Sequence, residues 1–203
     1  MKRPTALLTF IALLLGVSVA LSAAEIGEPA PGFTLKCSNG NDVSLSDFEG
    51  KFVVLEWVNH GCPFVRKFYR PGEMQRLQKK YTEKDVVWLT MNSSAPGEQG
   101  HMTPEQANQS IKDLEAHPTA ILLDHDGVVG KMYDARVTPH MYVIDPEGIL
   151  IYNGAIDSNS SARSADIEDA ENYVVSALTA AMNGEEVATP RTRAYGCGIK
   201  YPN

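Results

Sequence analysis

Short apolar runs of strand length alternate with helical segments along most of this chain. The run "FVVLEWV" (52–58) is almost continuously apolar, which is typical of a central strand covered on both faces. Further strands are predicted at 85–91, 119–124, 141–145 and 149–157, and a hairpin turning at Asn39-Gly40 is predicted over 33–45. This alternation predicts an α/β sandwich, and 203 residues with 43% hydrophobic content allow one domain with a full-sized core.

Three helical segments separate the predicted strands. The first begins near Cys62, and Pro71-Gly72 must bend or break it. Its apolar residues lie close to helical spacing: Val65, Phe68, Tyr69, Leu77 and Tyr81. The second opens at Thr103-Pro104, where a capping hydroxyl precedes a proline in the first turn. The last is predicted over 164–182, with Ser164 as its cap and acidic residues in its first turns.

The N-terminus has the pattern of a signal peptide. Met1-Lys2-Arg3 is basic, an apolar stretch follows from Ala6 to Ala20, and small residues precede Glu25. We predict cleavage after Ala23 or Ala24; the alternative is an uncleaved anchor, since the stretch is nearly long enough to span a membrane. The predicted organisation is a signal peptide (1–24), a domain (25–183) and a C-terminal tail (184–203), with export to the periplasm or a similar compartment.

The charge of the chain argues against two classes of partner. The formal net charge is −7, and no cluster of Lys or Arg follows the predicted cleavage point, so nucleic acid and anionic membranes are disfavoured. Export would place the three cysteines, Cys37, Cys62 and Cys197, where thiols oxidise. One of them must then stay unpaired or pair between molecules. Cys37 is most simply a small strand residue.

Cys62 stands where an apolar strand gives way to a helix, in "VNHGCPFV" (58–65). A sulfur in the first turn of a helix meets unpaired backbone N–H groups and the positive end of the helix dipole, and both lower the pKa of the thiol. Pro63 suits the first helical position and Gly61 permits a sharp turn, so we expect an exposed, ionisable sulfur. The alternative is a buried, unreactive cysteine.

Glu56 lies six residues before Cys62, within the apolar strand. A carboxyl group in such surroundings should have a raised pKa and could shuttle protons. The alternative is a residue at the strand end whose carboxylate lies in water. The sequence does not choose between these two interpretations.

The order of these elements resembles the thioredoxin superfamily, specifically its redoxin branch of alkyl hydroperoxide reductase and thiol-specific antioxidant (peroxiredoxin-like) proteins. The resemblance is carried by a strand, a Cys-Pro helix start and "LLDHDGVVGKMYDARVTPHMYVIDPEG" followed by a hairpin, and it spans about residues 26–183. It implies a thioredoxin-like α/β/α sandwich. It also implies that Thr138-Pro139 is a cis-proline loop facing Cys62, and that Glu56 matches the acidic residue that relays protons in thioredoxins.

Two departures from the family patterns bear on the reaction. Val65 stands where the resolving cysteine of a Cys-x-x-Cys motif belongs. Peroxiredoxins carry a proline and a hydroxyl residue where this chain has Leu55 and Asn59, and an arginine where it has Thr138-Pro139. Arg136 is close in sequence to that missing arginine. The resolving partner must therefore lie elsewhere, and peroxide activation is less well supported than disulfide exchange.

Cys197 is the candidate resolving cysteine, since it lies between two glycines near the end of the chain, where the backbone is mobile enough to reach another site. Related redoxins end in a similar Gly-Cys motif. A bond from Cys62 to Cys197 would contribute up to about 5 kcal/mol on the chain-entropy model. A permanent bond would make the protein redox-silent, whereas an exchangeable one would let Cys197 resolve an adduct on Cys62. Tyr195 and Tyr201 are predicted only to pack the tail.

His60 and His140 could flank the sulfur of Cys62. They would then stabilise the thiolate or donate a proton, or they would join Cys62 in a copper site. Copper-delivery proteins of the resembled fold use two cysteines separated by three residues, and Arg66 stands at the second of those positions here. The copper site is therefore the weaker alternative, and solvent-facing histidines are a third.

Together these observations predict an exported thiol-disulfide oxidoreductase that needs no cofactor or metal. Cys62 is the predicted nucleophile and Cys197 its resolving partner, while Pro139 shapes the substrate cleft and Glu56 handles protons. The residues predicted to tune the thiolate or line the cleft are Gly61, Pro63, His60, Thr138 and His140. The expected substrate is a protein disulfide or, as the alternative enzyme, a hydroperoxide, with a thiol protein as reductant. A redox-silent binding module and a copper carrier are the other hypotheses.

Overall fold

The computed structural model describes residues 24–203, which form one α/β/α sandwich. The strands are β1 (Thr34–Cys37), β2 (Asp42–Ser44), β3 (Val53–Trp57), β4 (Val87–Asn92), β5 (Ala120–Leu123), β6 (Val137–Thr138), β7 (His140–Ile144), β8 (Leu150–Gly154) and β9 (Cys197–Gly198). The α-helices are α1 (Pro63–Tyr69), α2 (Glu73–Thr82), α3 (Pro104–Asp113), α4 (Val128–Met132) and α5 (Tyr173–Met182), with short 3₁₀ helices at Leu45–Phe48 and Ser164–Ile167.

Seven strands form the central sheet in the order β2-β1-β5-β4-β3-β7-β8. Strand β3 runs parallel to β4 and antiparallel to β7, which places it inside the sheet, and all five of its residues are buried. The predicted hairpin over 33–45 is confirmed, since β1 and β2 pair antiparallel across a turn in which Gly40 has a φ of 89°. Strands β6 and β9 form a separate two-stranded sheet.

Alternate residues of β3 lie in two different cores. Val54 packs with apolar residues of α1, α2 and α5 on one side of the sheet. Trp57 packs on the other side with Tyr133 and Tyr142, at ring-centroid distances of 5.7 and 5.1 Å. Burial on both faces explains why this strand is almost continuously apolar, and it confirms the predicted sandwich.

The break predicted at Pro71-Gly72 is confirmed, because Gly72 has a φ of 83° and separates α1 from α2. The cap predicted at Thr103 is also confirmed, since its hydroxyl accepts a hydrogen bond from the Gln106 N–H. The helix predicted over 164–182 is wrong in its first half. That helix begins at Tyr173, and Asn172 rather than Ser164 is its cap.

Hydrogen bonds to distant segments hold residues 164–171 out of the predicted helix. The Ser164 hydroxyl donates to the Lys67 carbonyl at 2.8 Å, and the Ser158 N–H donates to the Glu171 carbonyl at 2.9 Å. The Tyr173 N–H donates to the Ile156 carbonyl. The last two bonds satisfy the Glu171 carbonyl and the Tyr173 N–H, which helix formation would otherwise pair locally, so tertiary contacts override the helical pattern.

The C-terminal tail lies along the domain. Three close approaches leave no room for a Cβ atom: Thr192 against Gly154, Gly196 against the Thr138 carbonyl, and Tyr201 against Gly130. Backbone hydrogen bonds from Ala95 to Lys200 and from Ile199 to Arg136 add to these contacts. Of the two glycines that suggested a mobile segment, Gly196 instead permits close packing of the tail.

The predicted signal peptide and the alternative membrane anchor fall almost entirely outside the described residues. Between residues 24 and 203, no helix is both long and apolar enough to cross a bilayer.

Candidate active site

Cys62 occupies the junction between β3 and α1, as its N-cap residue with extended backbone angles (φ −74°, ψ 128°). Pro63 follows at the first helical position. The Cys62 N–H donates to the Asn59 carbonyl at 2.9 Å, and the Asn59 side chain accepts from the Gly61 N–H at 2.8 Å. These local bonds turn the chain sharply off the strand and aim the first turn of the helix at the sulfur.

The sulfur of Cys62 is buried, so the expectation of an exposed thiol is wrong for this conformation. Cys62 has an exposed fraction of 0%, and its Sγ lies 3.2 Å from the Thr138 carbonyl oxygen. Cys197 packs against the same apolar cluster. The strand-to-helix corner was correctly predicted, but the tail covers it.

Opposing effects act on the pKa of Cys62. Burial raises the pKa, but hydrogen bonds from the Cys197 thiol, the Val65 and Cys197 backbone N–H groups and the Thr138 side chain outweigh burial and lower it below its ordinary value of 9.0. The Thr138 carbonyl favours the protonated thiol, to which it serves as an acceptor. The donors therefore stabilise the thiolate of a sulfur that water does not reach.

Cys197 lies in β9 directly opposite Thr138, the residue that precedes Pro139. Its side chain is half-buried. Burial and the neighbouring Cys62 sulfur raise the pKa of Cys197 to about 11, while Lys200 and Arg66 act in the opposite direction. Cys197 packs against the apolar cluster that contains Cys62, and both cysteines are free thiols. The electrostatics assign the anionic role to Cys62 and the protonated role to Cys197.

The bond between Thr138 and Pro139 is cis, as the family resemblance implied. Both residues are buried, and the Thr138 backbone contacts both cysteines: its carbonyl oxygen lies beside the Cys62 sulfur, and its strand pairs with Cys197. A Cβ atom at Gly196 would lie 2.0 Å from the Thr138 carbonyl oxygen. Only glycine at position 196 lets the tail pass so closely over this loop.

Glu56 is fully buried, which excludes the interpretation of a carboxylate in water. It accepts hydrogen bonds from the Trp88 indole at 2.7 Å, the Tyr69 hydroxyl at 3.0 Å and the Gln78 amide at 3.2 Å. Burial raises the pKa of Glu56 to about 7, although these hydrogen bonds act to lower it. The predicted direction of the shift is confirmed, and the carboxyl group is poised to exchange protons near neutral pH.

The hydrogen bonds and ring contacts of His60 and His140 are to groups other than the Cys62 sulfur. His60 is partly buried with its ring edge-on to Tyr69 at 5.0 Å, and burial lowers its pKa to about 4. His140 is buried: its Nδ1 accepts from the Arg136 N–H, and its Nε2 lies 2.8 Å from the Asn153 side-chain oxygen. Burial lowers the pKa of His140 to about 4 as well, so this ring is neutral at pH 7.

The structure does not assemble the copper set considered from the sequence. Both ring nitrogens of His140 are engaged by groups other than the Cys62 sulfur. Among residues 24–203, no group of three or more His, Cys, Asp or Glu side chains is arranged to hold a metal ion.

Arg136 does not take the place of the arginine of peroxiredoxins. Its side chain is 75% exposed and binds Asp134 at 2.8 Å. Cys37 is buried, and its thiol donates to the Asn39 side chain at 2.7 Å. Neither residue contributes to the paired cysteines in this structure.

Sequence reasoning missed two sets of polar residues around the site. The first comprises Tyr69, Gln78 and Trp88, the partners of Glu56. The second comprises Lys67, Asp157 and Tyr195, which bind one another beside α1. One signal was present, because Lys67 stands next to Phe68 on the apolar side of a helix and a buried lysine needs a partner. The sequence did not indicate that the partner would be Asp157, which lies 90 residues further along the chain.

The chain is similar in sequence to a known protein family and to proteins of two named kinds. Residues 26–153 match the family model described as the AhpC/TSA family. The chain is 26% identical over 133 residues to the thiol-disulfide oxidoreductase ResA of Halalkalibacterium halodurans, covering 59% of this chain and 74% of ResA. It is 28% identical over 148 residues to a putative peroxiredoxin in the rubredoxin operon of Clostridium pasteurianum, covering 66% of this chain and 80% of that protein.

The fold is also shared with solved structures. An uncharacterised conserved protein from Geobacillus kaustophilus superposes with a TM-score of 0.75 at 28% identity, covering 88% of this chain and 93% of that one. Relatives named as disulfide oxidoreductases and as peroxiredoxins both occur, so similarity alone does not choose between the two reactions.

Proposed function

The chain belongs to the AhpC/TSA family, and from this we propose that it is an exported thiol-disulfide oxidoreductase in which Cys62 is the nucleophile and Cys197 resolves the adduct. At the coarser level it is a redoxin-type, thiol-dependent enzyme. The observation that carries the proposal is the pairing of β9 with β6, which holds Cys197 opposite Thr138, the residue whose carbonyl oxygen lies 3.2 Å from the Cys62 sulfur.

In the first step the Cys62 thiolate attacks one sulfur of a substrate disulfide. The substrate S–S bond breaks, a mixed disulfide forms on Cys62, and the other substrate sulfur leaves as a thiolate that takes up a proton. The donors that lower the pKa of Cys62 increase its thiolate fraction at neutral pH. Because Cys62 has no exposed surface, the tail must move aside to admit a protein disulfide.

In the second step Cys197 loses its proton and attacks the Cys62 sulfur. The Cys62–Cys197 disulfide forms, the second substrate thiolate leaves, and the substrate has gained two electrons and two protons. A thiol protein of the same compartment would return the two electrons to the enzyme. Val65 cannot perform this step, and the position of Cys197 accounts for the missing Cys-x-x-Cys motif.

Protons for these steps would pass through Glu56. With a pKa of about 7, its carboxyl group can accept or release a proton at neutral pH, and Tyr69 links it to the helix that starts at Cys62. Pro139 would shape the floor of the cleft once the tail has moved, with Gly61, Pro63 and Thr138 around the sulfur.

A hydroperoxide is the second candidate substrate, and the burial of Cys62 favours it, because a small peroxide needs a narrower opening than a protein disulfide. In that case the Cys62 thiolate is oxidised to a sulfenic acid as the O–O bond breaks and an alcohol leaves. Cys197 would then attack this sulfur, forming the same disulfide and releasing water. The exposed position of Arg136 weighs against efficient peroxide activation.

The test begins with the disulfide itself. Reduced protein is oxidised with a mild disulfide reagent or with hydrogen peroxide, and the connectivity is mapped by mass spectrometry. We expect a Cys62–Cys197 bond in the wild type and in the Cys37→Ser control. Cys62→Ser should abolish turnover, and Cys197→Ser should trap an adduct on Cys62. Absence of the bond under both oxidants would refute the proposal.

Two assays separate the candidate substrates. Insulin reduction measures protein disulfide exchange, and peroxide consumption with a dithiol reductant measures the alternative. Activity in the first and not in the second is expected. A Cys62–Cys197 bond that survives mild reductant would instead identify a redox-silent module.

Export is tested by the N-terminal mass of the protein recovered from its host, which should begin at Ala24 or Glu25.

A further inference from the structure

A buried ion pair lies beside α1, outside both the thiol pair and the Glu56 network. Lys67 and Asp157 have side chains exposed by 0% and 2%, and Lys67 Nζ lies 2.7 Å from Asp157 Oδ2. Removing two charges from water is costly, and a hydrophobic pair of similar volume would often be as stable. The proposed reaction assigns this pair no role, so its position in the fold is informative.

The third member of this cluster is Tyr195 of the tail. Its hydroxyl donates to Asp157 Oδ1, while Lys67 Nζ donates to the Tyr195 hydroxyl oxygen at 3.2 Å and to the Asn159 carbonyl at 2.7 Å. All three ammonium protons of Lys67 are therefore used. We call Lys67, Asp157 and Tyr195 the latch. The Tyr195 ring also packs edge-on against Phe64, with centroids 5.8 Å apart.

The latch connects the segment that carries Cys197 to the helix that Cys62 caps. Cys62 caps the N-terminus of helix α1, and Lys67 lies within the same helix, five residues further along. Tyr195 precedes Cys197 by two residues, and the intervening Gly196 passes over the Thr138 carbonyl without room for a side chain. Fixing the Tyr195 hydroxyl therefore fixes the point from which the chain enters β9 and brings Cys197 to Cys62.

We propose that Tyr195 is a positioning residue for the resolving step, held by the buried Lys67–Asp157 pair. This inference rests on the proposed exchange between Cys62 and Cys197. The latch raises the effective concentration of the Cys197 thiol at Cys62, and it shifts the tail toward the closed position after each encounter with substrate. Because the ion pair is buried, the Tyr195 hydroxyl that it holds has little freedom to move.

Tyr195→Phe tests this without unfolding the domain. The variant keeps the ring and its contact with Phe64, and it removes one hydroxyl group. The Lys67–Asp157 pair remains, and Asp157 Oδ1 still accepts from the Asn159 N–H at 3.2 Å. No charge is left unpaired, in contrast to truncation of either partner. Tyr173 and Tyr195 both line one surface groove beside the tail, so Tyr173→Phe is the matched control.

The measurement is the opening of the tail, monitored by alkylation of Cys62 in the reduced protein and by the rate at which Cys197 resolves a mixed disulfide preformed on Cys62, with the unfolding midpoint determined alongside. Loss of a hydrogen bond to a charged group should accelerate the alkylation about tenfold in Tyr195→Phe. Resolution of the mixed disulfide should slow by a similar factor, because the adduct on Cys62 displaces the tail and the latch favours its return. Tyr173→Phe should match the wild type in both.

The outcomes separate this inference from the proposed function. A wild type that forms no Cys62–Cys197 bond refutes the proposed function and the latch with it. A bond that forms in the wild type with unchanged alkylation and resolution rates in Tyr195→Phe refutes the latch alone. An equal loss in Tyr173→Phe would show that the effect comes from the groove as a whole, which also contradicts a specific role for Tyr195.

Discussion

Replacing Gly196 by alanine should displace the tail and expose Cys62 without changing any catalytic side chain. Gly196 has a φ of 145°, which side-chain-bearing residues rarely adopt, and an added Cβ would lie 2.0 Å from the Thr138 carbonyl oxygen. Backbone strain of this kind costs about 1–3 kcal/mol, which corresponds to a factor of about 5–150 in an equilibrium constant. The tail can escape that cost only by leaving β6.

The assay is the rate at which reduced Cys62 reacts with iodoacetamide, followed by peptide mass spectrometry. In the wild type Cys62 has no exposed surface, so labelling requires the tail to open. Because the strain at residue 196 favours the open position of the tail, labelling of Cys62 should be about ten- to a hundredfold faster in Gly196→Ala. Cys62–Cys197 disulfide formation should fall in the same protein, because Cys197 leaves with the tail.

Gly198 supplies the control on the other side of Cys197. A Cβ atom there would meet only the Arg136 carbonyl oxygen, at 4.0 Å, which is ordinary contact. Gly198→Ala should therefore label at the wild-type rate. If Gly196→Ala also labels at that rate while remaining folded, the tail is not what covers Cys62, and the argument from burial fails.

Three further predictions concern the buried polar groups. Glu56→Gln should gain stability relative to the wild type between pH 5 and pH 8, by up to about 3 kcal/mol in urea unfolding. The reason is that the pKa of Glu56 is about 7 in the folded protein against an ordinary value of 4.5, so the wild type loses stability as pH rises through that range. An equal pH dependence in both proteins would contradict the buried position of Glu56. Cys197→Ala should raise the pKa of Cys62 measured by thiolate absorbance, since it removes the strongest of the hydrogen bonds that lower it; an unchanged titration would show that other donors suffice. Lys67→Met should destabilise the fold by about 3–5 kcal/mol in thermal or urea unfolding, and the added Asp157→Leu change should restore much of that loss; equal stability of the single and double variants would argue against a buried pair.

The elements that sequence reasoning placed correctly depend on local chemistry. The apolar run at 52–58, the Asn39-Gly40 turn and the Thr103 cap each need only neighbouring residues to take their observed form. The strand-to-helix corner at Cys62 belongs to the same class. Helix α5 shows the limit, because the acidic segment before Tyr173 has helical character but is drawn into hydrogen bonds with Lys67 and Ser158.

The candidate site divides in the same way. The identity of Cys62 as a helix-start cysteine and the raised pKa expected for Glu56 followed from their immediate surroundings in the chain. The burial of the sulfur did not, because Cys197 covers it from a segment more than a hundred residues away. The engagement of both His140 ring nitrogens by Arg136 and Asn153, and the exposed position of the Arg136 side chain, likewise depend on tertiary packing.

The sequence by itself determined the strands, the helix starts and the residue most able to ionise, because backbone conformation and capping act over a few residues. Only the tertiary structure decided that the tail pairs with β6, that Tyr195 closes on a buried ion pair, and that Cys62 is sealed from water. Burial and long-range hydrogen bonding depend on which surfaces pack together when the chain folds. The spacing of residues along the chain does not specify those packing contacts.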